Sequence, residues 1–199
     1  MYICSYIRGI INLLTKKGEN MSSVLFFTSD FPLKERPNPH DKLVSVNEAL
    51  KLGKTDIPDF LLSDDFDKDK PGVMLISDRN IDFDIDTGKI TDGDFDDDFG
   101  IFVSDKPEEI KSTKKYFAFY EITRFTEGRG LETINYIKEN IKENSEIEFW
   151  HVWLGNDTTN TVVKKEMSLK DLKPDNLEEI LYADVCREPI YDYCLVIKA

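Results

Sequence analysis

The ten residues 146–155, EIEFWHVWLG, set the tightest limit on what this chain can fold into. They hold both tryptophans and one of the two histidines, and they alternate with the period of a strand. Ile147, Phe149, His151 and Trp153 face one way, while Glu148, Trp150, Val152 and Leu154 face the other. Both faces are largely apolar. A strand with one wet face would alternate apolar with polar residues throughout, so this one is expected to be covered on both sides, with helices on one of them.

Candidates for those covers flank the strand. Before it comes a strand at 116–123 (YFAFYEIT) and a helix near 130–144 with the apolar stripe Leu131, Ile134, Ile137 and Ile141. After it come a strand at 161–169, a helix opening at Pro174 with Leu177, Ile180 and Leu181 inward, and a strand at 191–198. The order β-α-β-β-α-β predicts an α+β protein whose residues 106–199 form a ferredoxin-like sheet. Both helices would lie on one face, leaving Phe117, Phe119, Trp150, Val152, Cys194 and Val196 as an apolar patch on the other. A β-rich half, residues 21–105, is expected to pack on that patch and make one compact unit; homodimerisation through the same face is the alternative.

The N-terminal half supplies the strands for this role. VLFFT at 24–28 reads as a buried strand, and Pro32, Pro37 and Pro39 make the following stretch a loop because proline lacks the ladder donor. Ser45 and Glu48 have capping-box spacing for a short helix that Gly53 stops. Strands are expected at 73–77, 81–85 and 100–104, with Asp86-Thr87-Gly88-Lys89 as a hairpin turn. Residues 1–20 lack the cleavage site of a secretory signal. Codons for Lys16 to Asn20 can contain a ribosome-binding sequence, so translation is expected to begin at Met21. The alternative is an amphipathic helix carrying Ile7, Ile10, Ile11 and Leu14.

A 40% hydrophobic and 12% aromatic content excludes a disordered chain, and no apolar run approaches a membrane span of ~20 residues. The cysteines Cys4, Cys186 and Cys194 show no metal-type spacing, and their odd number argues against a disulfide framework. A cytoplasmic protein is expected, and the excess of lysine over arginine suits an AT-rich bacterial or phage genome. No glycine-rich phosphate loop or internal repeat is present, and no cofactor is expected.

The net charge of −13 is concentrated rather than spread. Between Asp56 and Asp105 stand sixteen aspartates, no glutamate and four basic residues, which accounts for −12 of it. Such acidity opposes phosphate binding, and residues 161–169 lack the glycine and aromatics of an RNA-binding strand, so nucleic acid is not an expected ligand. It suits instead a non-enzymatic module that binds a basic protein, as inhibitors and immunity proteins do, with Asp92, Asp94, Asp96, Asp97 and Asp98 in the contact.

Three other groups of residues could carry chemistry. Asp82, Asp84 and Asp86 before Gly88 place oxygen ligands at alternate positions, but the frame is not that of an EF-hand, and a polar-faced hairpin explains them as well. His151 and His40 are the candidate acid/base groups of the alternative reading, a small enzyme or ligand-binding protein with its site between the halves. His40 would act with Ser29 and Asp30. Glu121, Arg124, Glu127 and Arg129 stand at the end of a strand and before a helix, where binding residues often gather and where a surface charge network is the plainer explanation.

Overall fold

The computed structural model describes residues 22–77, 82–84, 89–91, 95–107, 110–154, 161–183 and 191–199. In chain order its elements are β1 (Ser22–Ser29), β2 (Asp41–Val44), α1 (Val46–Lys51), α2 (Asp59–Leu62), β3 (Met74–Ser77), β4 (Asp82–Asp84) and β5 (Lys89–Thr91). There follow β6 (Phe99–Ser104), β7 (Tyr116–Ile122), α3 (Glu127–Asn140), β8 (Glu146–Leu154), β9 (Val162–Ser168), α4 (Pro174–Leu181) and β10 (Asp192–Lys198). The chain is α+β, as expected. The leader read at residues 1–20 lies outside the described residues, as do Asp86, Thr87 and Gly88 of the expected hairpin turn; its fourth residue, Lys89, opens β5, which pairs antiparallel with β4.

Six strands form one mixed sheet in the order β6-β7-β1-β8-β10-β9, antiparallel except for the last pair. This corrects the expected ferredoxin-like arrangement, which would have built the sheet from the second half alone. β7 and β8 run parallel, joined through α3, and the strand that splits them is β1. The expected N-terminal layer is corrected with it, because β1 and β6 lie within the sheet rather than on it. The physical reason lies in β1 itself, where consecutive phenylalanines serve opposite faces. Phe27, opposite Phe149, joins the helix-side core, and Phe26, opposite Trp150, joins the other. A strand apolar on both faces is suited to the middle of a two-sided sheet.

On the helix side, Phe27, Phe149, Tyr120, Ile101, Leu195 and Ile197 pack under Ile134 and Ile137 of α3 and Leu177 and Ile180 of α4. Of the expected stripe, Leu131 turns outward at 50% exposure. The helix starts earlier than the sequence suggested, at a Thr126 cap that accepts from the Arg129 N–H at 3.2 Å, and its inward line runs through Gly130 instead. On the far side, Phe26, Phe117, Trp150, Val152, Cys194 and Val196 are all buried, joined by Ile110 from the stretch before β7. The expected apolar patch therefore exists and is already enclosed within the chain.

Residues 41–77 carry a third, separate cluster. Val44, Val46, Ala49, Ile57 and Leu61 pack together beneath Phe66, Val73, Met74 and Ile76, with β2 and β3 paired antiparallel. Ser45 caps α1 by accepting from the Glu48 N–H at 3.2 Å, but Glu48 spends its carboxylate on Lys42 at 2.7 Å. Gly53, at φ +81°, supplies the left-handed stop.

Candidate functional site

The aspartates singled out for partner binding divide sharply. Asp92 and Asp94 lie outside the described residues. Asp96 is exposed, and Asp97 accepts at Oδ1 from Nε2 of the His40 ring at 2.8 Å. Asp98 has no exposed surface: it accepts from Asn38 Nδ2 at 2.7 Å and from Arg129 Nη2 at 3.1 Å. A buried carboxylate cannot meet a partner, so Asp98 is withdrawn from the proposed contact. Arg129 is likewise no surface residue. It is wholly buried and also donates to the carbonyls of Phe95 at 2.9 Å and Arg124 at 3.0 Å, tying the residue 95–98 turn to the first turn of α3.

His40 stacks on Phe95, with ring centroids 4.1 Å apart and 17° between the planes. The hydrogen bond from His40 holds the Asp97 carboxyl below the usual range. Arg36 lies over the Phe99 ring at 3.6 Å and donates to the Phe99 carbonyl at 2.6 Å. The grouping expected around His40 does not assemble. Ser29 is buried and donates to the Phe31 carbonyl, while Asp30 faces Lys114 at 2.8 Å. His40 thus meets a carboxylate fifty-seven positions along the chain, in a latch that fixes a turn.

Among the described residues, exposed aspartates are concentrated in the 41–77 lobe. From Leu52 to Asp69, six aspartates (Asp56, Asp59, Asp64, Asp65, Asp67 and Asp69) stand exposed against two lysines. Large apolar side chains stand among them, with Phe60 at 69% and Leu52 at 60% exposure. α1 and α2 turn Ala49 and Leu61 into the lobe's core, which leaves Leu50, Phe60 and Leu62 on outward faces.

A cavity of about 340 Å³ brings His151 together with Glu121 and Arg124, which the sequence offered as members of a different group. His151 is 2% exposed, and its Nδ1 lies 2.9 Å from the Ile180 carbonyl at the end of α4. A carbonyl only accepts, so Nδ1 carries the proton. Burial lowers the imidazole pKa despite that bond. The neutral ring therefore presents Nε2 as an acceptor.

Glu148 is the site residue that alternation alone concealed. Its Oε2 accepts from Ser112 Oγ at 2.6 Å, Trp150 Nε1 at 2.8 Å and Thr28 Oγ1 at 3.0 Å, and Lys164 stands 3.4 Å from Oε1. Burial pushes its pKa up, but these four partners outweigh that and hold it below the usual range. The network is complete, which marks it as structural. Cys194 is buried with its thiol pKa raised by burial, so it acts as a small apolar side chain. Asp82 and Asp84 fall on β4, and Asp86 lies outside the described residues. Among the described residues, no three His, Cys, Asp or Glu side chains come together to hold a metal ion, and no helix is long and apolar enough to cross a membrane.

No protein-family model matches this chain, and neither the curated proteins nor the solved structures compared with it contain a match.

Proposed function

We propose that this protein is a non-enzymatic binding module that engages a basic partner protein through the outward faces of the 41–77 lobe. The observation that carries this reading is the conjunction of six exposed aspartates with exposed Phe60 and Leu52. Acidity alone serves solubility, but a solubility surface has no use for a phenylalanine 69% exposed among its charges. Binding surfaces combine those features: an aromatic anchor fills a pocket on the partner, while the charges around it speed and orient the approach. On this reading the contact lies in α1, α2 and the following turn, upstream of residues 92–98. An inhibitor or immunity protein kept in the bacterial cytoplasm would have this design.

The test is capture of a partner by the immobilised protein from lysate of the source organism, at low and high salt. A partner with a basic surface should be retained at low salt and released at high salt. Phe60→Ala should weaken its binding by about 2 kcal/mol, the loss typical of an anchor residue. Paired reversal of Asp64 and Asp65 to lysine should slow association. A partner held equally well by all these variants would move the contact elsewhere, and the absence of any salt-sensitive partner would remove the proposal.

A further inference from the structure

β9 ends the sheet on one side. It pairs parallel with β10 from Val162 opposite Asp192 to Ser168 opposite Lys198, and among the described residues no strand, turn or loop bonds through the backbone to its other edge. The opposite edge of the sheet is partly covered, because Arg36 bridges antiparallel to Ile101 of β6. The middle of β9 is charged and exposed. Lys164 and Glu166 project on the Trp150 side, where Lys164 lies 3.4 Å from Glu148 and Glu166 accepts from Lys198 at 2.5 Å, while Lys165 reaches Glu179 of α4 on the helix side. Half-buried Val163 and Met167 flank this triplet.

An edge strand is commonly guarded by lysines that repel a second edge. The charges of β9 instead complement themselves when the strand is reversed. Two copies joined edge to edge by a two-fold axis through the sheet run antiparallel, and side chains set opposite each other then come from the same face, so the axis passes through one residue of each strand. Centred on Lys164 or Glu166, it sets that charge against its own copy and leaves the other charge opposite Val162 or Ser168. Centred on Lys165, it sets Lys164 opposite Glu166 twice and Val163 opposite Met167 twice. Unlike charges and apolar pairs across such a junction favour it. Lys165 meets its own copy there, but each is held by the Glu179 of its own chain. Signs then alternate across the junction, from Glu148 and Lys164 of one copy to Glu166 and Lys198 of the other, and the symmetry-related row does the same.

We infer that β9 is a self-association edge, through which a second copy of this chain pairs antiparallel, centred on Lys165, to extend the sheet across both molecules. The occupant follows from the register, because the same strand reversed supplies the complementary charge at each position that needs one. This interface uses no residue of the 41–77 lobe, so either reading can fail without the other.

The test is sedimentation velocity of the full chain over a concentration series, where a species of twice the monomer mass should grow with concentration. Glu166→Lys sets lysine against Lys164 of the second copy at both pairs, and should weaken the dimer by about ten-fold or more. Lys164→Glu should do the same by opposing two carboxylates. Mixed in equal parts, the two variants should dimerise again, because every pair across the junction is once more unlike. Hydrogen exchange of the unaltered chain keeps the test decisive if Lys164→Glu, beside Glu148, does not fold: amides of β9 should exchange more slowly as concentration rises, and those of β6 should not change. A chain that stays monomeric throughout, a dimer that protects residues other than β9, or a dimer left equally tight by Glu166→Lys overturns the inference. So does a mixture of the two folded variants that stays monomeric.

Discussion

Arg129 Nη2 and Asp98 Oδ2 meet at 3.1 Å with both side chains shut off from solvent. The guanidinium sits in the first turn of α3, where the helix dipole disfavours a cation, so its place there depends on the carboxylate brought by the turn before β6. Asp98→Ala is expected to cost about 3–5 kcal/mol, because it strands a buried charge. Asp98→Leu combined with Arg129→Met should recover most of that loss. Urea unfolding of the single and double variants checks both statements, and simple additivity of the two single losses would rule out the coupling.

Two glycines two residues apart, on nearly opposite faces of the same helix, should respond differently to alanine. A Cβ on Gly130 would lie 2.6 Å from Phe125 Cζ and 2.8 Å from Pro174 Cβ, where α3 approaches the start of α4. Gly130→Ala should therefore destabilise by about 1–3 kcal/mol, the ordinary cost of overpacking, despite alanine's better helix propensity. The atoms nearest a Cβ on Gly128 would all belong to the carboxylate of Asp96, an exposed side chain that can swing away. Gly128→Ala should be neutral or slightly stabilising. Thermal melts of the pair make the comparison.

Glu148 predicts a specific acid dependence. Its folded pKa lies below the unfolded one, so the stability it contributes is present above the usual glutamate range near ~4.3 and is lost as pH falls through the folded value. Glu148→Gln should be less stable near neutral pH by about 1–3 kcal/mol, the cost of weakening charged hydrogen bonds. That difference should shrink as the medium is acidified. Denaturation midpoints measured across the carboxylate range check this, and a difference that stays constant would mean that Glu148 is not ionised among its partners.

The lobe at 41–77 has its own core, which should make it separable in hydrogen exchange. Leu61→Ala removes a buried side chain from that cluster and should cost it about 2–5 kcal/mol. The amides of β2, β3 and α1 should then exchange faster, while those of β1 and β8 keep their protection. Equal loss of protection across the chain would instead show that lobe and sheet unfold as one.

How much of this was legible in the chain depends on the range of the interaction. Local patterns read well: β8 with two apolar faces, the Ser45 cap, the positive-φ stop at Gly53 and Pro174 at the head of α4 are all decided within a few residues. Strand order was another matter. Nothing in VLFFT says that it will split β7 from β8, about ninety residues or more away, since the apolar residues would equally suit a second layer. The aspartate run misled for the same reason. Asp96 and Asp98 look alike in sequence, and only the arrival of Arg129 makes one a surface charge and the other a buried anchor. Glu148 looked like an ordinary polar interruption, because its four partners come from Thr28, Ser112, Trp150 and Lys164.

The central place of β1 also governs the order of events at the ribosome. Its neighbours in the sheet, β7 and β8, begin only at Tyr116 and Glu146, so the strand that must end up most protected is made long before either partner. At ordinary rates of synthesis that interval is on the order of ten seconds, during which an apolar segment waits with both edges unpaired. Pairings so distant along the chain also slow folding itself. Cells producing this protein should therefore need to shield its first strand while translation proceeds, and fragments that end before β7 should aggregate rather than fold.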